Sequence, residues 1–296
     1  MSHICMTQTT RTLERRLGDA IRSRAPKILV ELVMFTLKQA WACLFGALLL
    51  VGLIVSDMIW DDTWRLARYD ALVIYALTLQ ALFLIFKLET LAEARVILLF
   101  HLTGTAMEIF KVHMGSWAYP EPALLKLWGV PLFSGFMYAA VGSFMARVIR
   151  IFDMHFAPYP PLWITFTLGT AIYLNFFTHH YIWDARYVLF AATLIVYIRT
   201  RIWFQIGANT YWMPLPLAAL LSSFFLWVAE NVGTGTGTWI YAGADGVSLV
   251  SFAKMGSWYL LLYVSFVTVT LVMRDALIQA PLTKDHATAA SPRPAR

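Results

Sequence analysis

Charge is scarce in this chain. Asp, Glu, Lys and Arg make up only 14% of its 296 residues, against 59% hydrophobic residues. That balance excludes an ordinary soluble domain. Cysteine is scarcer still, with two residues, Cys5 and Cys43, and neither a CxxC nor a Cys/His zinc pattern. A disulfide framework and a structural zinc site are therefore excluded, and no motif asks for a cofactor. A cleavable signal is also missing from the reading, because residues 1–34 are polar and basic rather than apolar. The net charge of +6 points to membrane topology and not to nucleic acid, since Lys and Arg collect in cytoplasmic loops.

Long apolar runs fill the remainder. Eight of them, near 38–57, 69–88, 92–112, 130–151, 161–180, 186–204, 214–233 and 256–274, approach the ~20 residues that span ~30 Å of hydrocarbon. The expected fold is all-α, a polytopic membrane bundle of about eight helices over residues 35–275. A basic arm (1–34) precedes it, and a disordered tail (276–296) rich in Pro, Ala and charge follows. The arm's Leu and Ile spacing, with Arg and Lys interleaved, fits a helix on an anionic leaflet or a solvated extension. Lys and Arg test the division into spans. One alternate set of flanks and loops holds 17 of them and the other holds 6, so both termini are expected in the cytoplasm, in a bacterial inner membrane.

One motif occurs twice. Glu108, Gly115, Trp117 and Tyr119 recur 122 residues on as Glu230, Gly237, Trp239 and Tyr241, giving E-x6-G-S/T-W-x-Y at the ends of spans three and seven. Ile59-Trp60-Asp61 with Ala67-Arg68-Tyr69 is likewise echoed by Ile182-Trp183-Asp184 with Ala185-Arg186-Tyr187. These echoes suggest a duplicated four-span unit, with halves near 35–155 and 156–275 in parallel orientation.

A carboxylate in an apolar span is costly unless paired, hydrated or protonated. Glu108 and Glu230 are thus either acids that keep a proton at neutral pH or braces for the glycine turns that follow them. His101 and Thr105 share a helical face with Glu108, and Ser223 stands where His101 would map. Trp117, Tyr119, Trp239 and Tyr241 read as interfacial anchors or as an aromatic wall for a cation. Gly233-Thr-Gly-Thr-Gly237 lacks the ending of a phosphate loop. Asp57 and Asp61 echo the pairs that hold Mg-diphosphate in membrane prenyltransferases, and His179, His180 and Asp184 read as an exposed loop cluster or a metal site. If the halves are duplicates, spans three and seven should lie together with their glutamates facing one cavity.

The strings GSWAYPE (115–121), VPLFSGFMYAAVG (130–142) and KMGSW (254–258) resemble the YoaT-like bacterial integral-membrane family, which has no established activity. His101-x6-Glu108, Gly115-x3-Tyr119 and Val130-Pro131 are also similar in order to a motif of the membrane carotenoid hydratases and, distantly, of the membrane-type lycopene cyclases. That second resemblance implies that Glu108 protonates a polyene carbon, with Trp117 and Tyr119 shielding the cation. Two functions follow from these readings. One is a lyase- or isomerase-type enzyme acting on a membrane lipid or hydrophobic small molecule through Glu108, His101 and Glu230, with Thr105, Trp117, Tyr119, Trp239 and Tyr241 binding substrate. The other is a transporter with a paired-carboxylate pathway.

Overall fold

Helices occupy all eight apolar runs in the computed structural model, which describes residues 26–61, 63–243 and 249–282. They are α2 (Leu44–Ile59), α3 (Arg68–Ile85), α4 (Leu91–His113), α5 (Phe133–Ile151), α6 (Leu162–Thr178), α7 (Arg186–Tyr197), α8 (Leu215–Gly235) and α9 (Phe252–Val272). A further helix, α1 (Lys27–Ala42), precedes them and meets α2 at a 65° bend around Cys43. The end of the basic arm is therefore part of a helix, while residues 1–25 lie outside the described residues. Among the described helices, four are long and apolar enough to cross a membrane by length and composition, or five if the bent α1–α2 pair counts as one span.

The fold is mainly but not wholly helical. The sixth run, expected as helix to 204, stops at Tyr197 and continues as a strand. Arg201–Ile206 (β5) and Asn209–Pro214 (β6) form an antiparallel hairpin, joined on its other edge by His155–Ala157 (β4). The physical reason is local. The segment is rich in aromatic and β-branched residues, and Gly207 sits at φ 60° in a two-residue turn, the geometry that short hairpins require. Glu31 of α1 clamps this hairpin, accepting hydrogen bonds from Asn209 and Tyr211, both at 2.5 Å. Residues 276–282, expected as tail, instead run beside β4, where the Ile278 amide donates to the Phe156 carbonyl. The rest of that tail lies outside the described residues.

α5 is the central helix, flanked by α1, α2, α3, α4 and α9. Thr90 starts α4 with a capping box closed by Glu93, which satisfies two orphan amides at the helix start. Glu93 also accepts from Arg150 Nε at 2.8 Å. Beside it, Glu89 accepts from Ser143 at 2.5 Å, and Arg147, fully buried, donates to the Trp41 carbonyl at 2.6 Å. This ion cluster ties the α3–α4 turn to α5 at the end of the bundle that carries β4, β5 and β6. Trp117–Ala118 (β1) and Ile240–Tyr241 (β7) pair at the opposite end, and a small ladder of Lys126–Leu127 (β2) with Val130–Pro131 (β3) leads into α5.

Candidate functional site

Each copy of the repeated motif folds back onto its own glutamate. α4 ends just before Gly115, whose φ of +67° reverses the chain. Trp117 Nε1 and the Tyr119 hydroxyl then both donate to Glu108 Oε2, at 2.7 and 2.8 Å. α8 does the same through Gly237 at φ +60°. Trp239 Nε1 donates to Glu230 Oε1 at 2.9 Å, and the Tyr241 hydroxyl donates to the same oxygen. The bonds run to side chains of the turn and not to its backbone. The two turns then pair with each other, Trp117 opposite Tyr241 and Ala118 opposite Ile240. α4 and α8 are joined through this β pair, and do not pack lengthwise as the duplication argument expects.

A third donor reaches each carboxylate from the next helix. Tyr138 of α5 donates to Glu108 Oε1 at 2.6 Å, and Trp258 Nε1 of α9 donates to Glu230 Oε2 at 3.1 Å. The approach of Tyr138 depends on Gly104, where a Cβ would lie 2.6 Å from the tyrosine side chain. Both glutamates are buried, and filling their lone pairs with donors is what makes burial tolerable. Burial, followed by the neighbouring Glu108 charge and hydrogen bond, holds the Tyr119 phenol well above its usual pKa, so it remains a donor.

Both carboxylates line one cavity of about 1000 Å³, at the upper end of the ~300–1,000 Å³ found for ligand pockets. Its polar end is formed by the two motifs with Lys111, Arg186 and Lys254. From there it runs along apolar walls, including Phe144, Phe225 and Phe266, to Phe156 and Phe204 of the sheet at the other end. The elbow between α1 and α2 contributes Phe35, Gln39 and Cys43.

Other expected site residues sit elsewhere. His101 and Thr105 wrap Gly135 on α5, with the His101 ring 4.5 Å from that of Phe136. Neither lines the cavity or bonds Glu108. Ser223 donates to the Leu220 carbonyl of its own helix, and Trp227 to the Val250 carbonyl, which leaves Glu230 as the member of that face in the cavity. Asp57 lies 3.8 Å from Arg68, and Asp61 caps Thr63. Arg68 also holds Glu121 at 2.6 Å and Thr238 at 2.8 Å, pinning α3 to both motif turns. Asp184 is taken by Arg186 and Asn175. Among the described residues, no group of three or more His, Cys, Asp and Glu is placed to hold a metal ion.

Sequence reasoning missed Tyr138, Trp258 and the basic residues of the cavity. A signal for the first two was present, since they follow their glutamates by similar intervals, 30 and 28 residues. They also fall inside strings that carry the family resemblance.

Apolar helices of membrane-crossing length around an internal cavity define a polytopic helical membrane protein. The chain belongs to the family described as protein of unknown function (DUF817), whose family model matches residues 31–266. It is 42% identical over 240 residues to the uncharacterized protein YoaT of Bacillus subtilis (strain 168), covering 81% of this chain and 90% of that protein. No solved structure matches.

Proposed function

We propose that this chain is an eight-crossing bacterial inner-membrane enzyme with both termini in the cytoplasm. On this reading it takes an isoprenoid-like lipid into the cavity between two duplicated halves and protonates it from Glu108. The observation that carries the reading is the bonding of Glu108 at the head of the apolar cavity. Its Oε1 meets a hydroxyl alone, that of Tyr138, and Oε2 meets one indole and one hydroxyl. An indole N–H can only donate, whereas a tyrosine hydroxyl can turn and accept. A proton on Oε1 is therefore accommodated by reversing Tyr138. Glu230 has an indole on each oxygen and serves better as a fixed carboxylate.

In the reaction, the proton of Glu108 passes to one carbon of a C=C bond and the π pair becomes the new C–H bond. The tertiary cation left behind lies against the faces of Trp117 and Tyr119. Water adds through oxygen and returns its proton to the Glu108 carboxylate, giving net hydration. Alternatively, a neighbouring double bond closes a ring and a C–H proton returns to Glu108, giving net isomerisation.

The duplication draws support from matching helix neighbours. In the first half α2, α3 and α4 each pack on α5, and α2 packs on α3. In the second, α6, α7 and α8 each pack on α9, and α6 packs on α7. Consecutive helices also turn back alternately at the two ends marked by the β1–β7 pair and the β4–β5–β6 sheet, as eight crossings require. α7, at ~18 Å, is short of a full span, and the chain leading into β5 completes it.

Comparing lipid extracts from cells with the wild-type protein, with Glu108→Gln, and with neither tests this. A polyene or quinone profile changed by the wild type and restored by Glu108→Gln is the expected result, with Glu230→Gln milder. Identical extracts reject the enzyme. Equal losses in both variants point to a symmetric site, and unchanged extracts leave the transporter reading, which the near-symmetric carboxylates and the bent α1–α2 pair favour.

A further inference from the structure

The face that the Lys/Arg count assigns to the outside carries only Arg65, Arg68, Lys111, Lys126, Arg186 and Lys254. Three of these six line the polar end of the cavity: Lys111, Arg186 and Lys254. Such clustering is unusual on a face that topology depletes of basic residues.

Their partners are inadequate for three cations. Lys111 is buried and donates to His180 Nε2 at 2.8 Å and to His179 Nε2 at 3.3 Å. His179 Nδ1 lies 2.9 Å from the Asn175 carbonyl, so that nitrogen carries the proton and Nε2 is a free acceptor. The lysine is thus an ammonium held by His179 and His180 and 4.2 Å from the centre of the Phe176 ring, with no anionic partner among them. Lys254 Nζ stands 3.8 Å from the centre of the Tyr241 ring and 5.7 Å from that of Trp117. Among the described residues, neither lysine has a carboxylate within ion-pair distance. Among the described residues, the carboxylate paired with Arg186 is that of Asp184, at 2.6 Å. The corresponding Arg68 is held by Glu121, whereas the position matching Glu121 in the second motif is Gly243. Glu108 and Glu230 lie in the same cavity, each already occupied by three donors from aromatic side chains.

We propose that Lys111, Lys254 and Arg186 form an anion site for the phosphate-type headgroup of the lipid whose chain fills the apolar cavity. The lipid chain rests on the function proposed above; the headgroup site rests on these three cations. A phosphate oxygen beside Lys111 and Lys254 would give one buried and one half-buried ammonium group the counter-charge they lack. The remaining oxygens face Arg186 at the rim.

Equilibrium binding of radiolabelled geranylgeranyl phosphate and geranylgeraniol to the full-length protein in neutral detergent tests this, with inorganic phosphate as competitor. The phosphate lipid should bind roughly tenfold or more tightly than the alcohol. Lys254→Met and Lys111→Met should each remove most of that preference while leaving alcohol binding unchanged, and Lys254→Arg should retain it. If Lys111→Met fails to fold, Lys254→Met and Arg186→Gln decide. Equal binding of phosphate and alcohol, or a lysine variant that weakens both alike, overturns the headgroup site alone. Inorganic phosphate binding as tightly as the phosphate lipid, with the same lysine dependence, assigns the site to free phosphate and overturns the lipid. Failure of both lipids to bind rejects the lipid cavity as well.

Discussion

Gly233 is where the second motif is most exposed to a single-atom test. It lies one turn after Glu230 on α8, and the Trp239 indole folds flat across it. A Cβ built at Gly233 would sit 1.7 Å from Cη2 of that ring and 2.3 Å from two further ring carbons. Gly233→Ala must therefore displace Trp239. The ring cannot slide aside freely, because it is buried against Tyr119 and Tyr69 in a closed aromatic cluster. Overpacking of this kind costs about 1–3 kcal/mol. Displacement also costs the bond from Trp239 to the Glu230 carboxylate, and a bond to a charged group contributes ~1.5–3 kcal/mol. Gly235 is the control, since a Cβ there meets nothing within 4 Å and alanine favours the helix. Thermal melting in detergent, read by tryptophan fluorescence, should place Gly233→Ala roughly 5–15 °C below wild type. Gly235→Ala should match wild type or exceed it. Equal melting of the two variants would refute the claim that Trp239 is locked over α8 by its carboxylate.

Two further outcomes are expected. Burial, outweighing the bonds from Ser143 and Gln80 and the charge of Arg147, holds the Glu89 carboxyl above its ordinary value of 4.5. The folded state thus binds this proton more tightly than the unfolded one, and the stability it contributes is present below the ordinary value and lost as pH rises through the raised one. Melting across that window should fall with rising pH in wild type and less so in Glu89→Gln; parallel profiles would remove Glu89 as the cause. Reporter fusions after Pro120 and Gly243 should signal outside and a fusion after Arg150 inside, and a cytoplasmic signal at either of the first two rejects eight crossings.

The difference between the two halves shows how far the sequence could be read. Spacings of 9 and 11 residues from glutamate to Trp and Tyr were legible as a repeat, but the single chain reversal that brings both side chains back to the carboxylate was not. Nor were contacts made by neighbouring helices. Tyr138 and Trp258 depend on how closely α5 and α9 approach, and His101 proved to face α5 because helical periodicity fixes a shared face but not its partner. The strand at β5 was hidden for another reason. An apolar aromatic run looks alike as the end of a membrane helix and as a buried strand. Lys111 joins these threads. It stands at the position of Gly233 in the other copy, where a long side chain excludes a flat indole. Trp117 keeps its bond to Glu108 but turns toward Tyr241 and Lys254, with ring centres of Trp117 and Tyr241 5.7 Å apart. The exchange of Gly233 for Lys111 between the two copies therefore places an ammonium in the cavity wall and an indole face beside it. On the proposal above, Lys111 from the first copy and Lys254 and Arg186 from the second half together meet the charged headgroup.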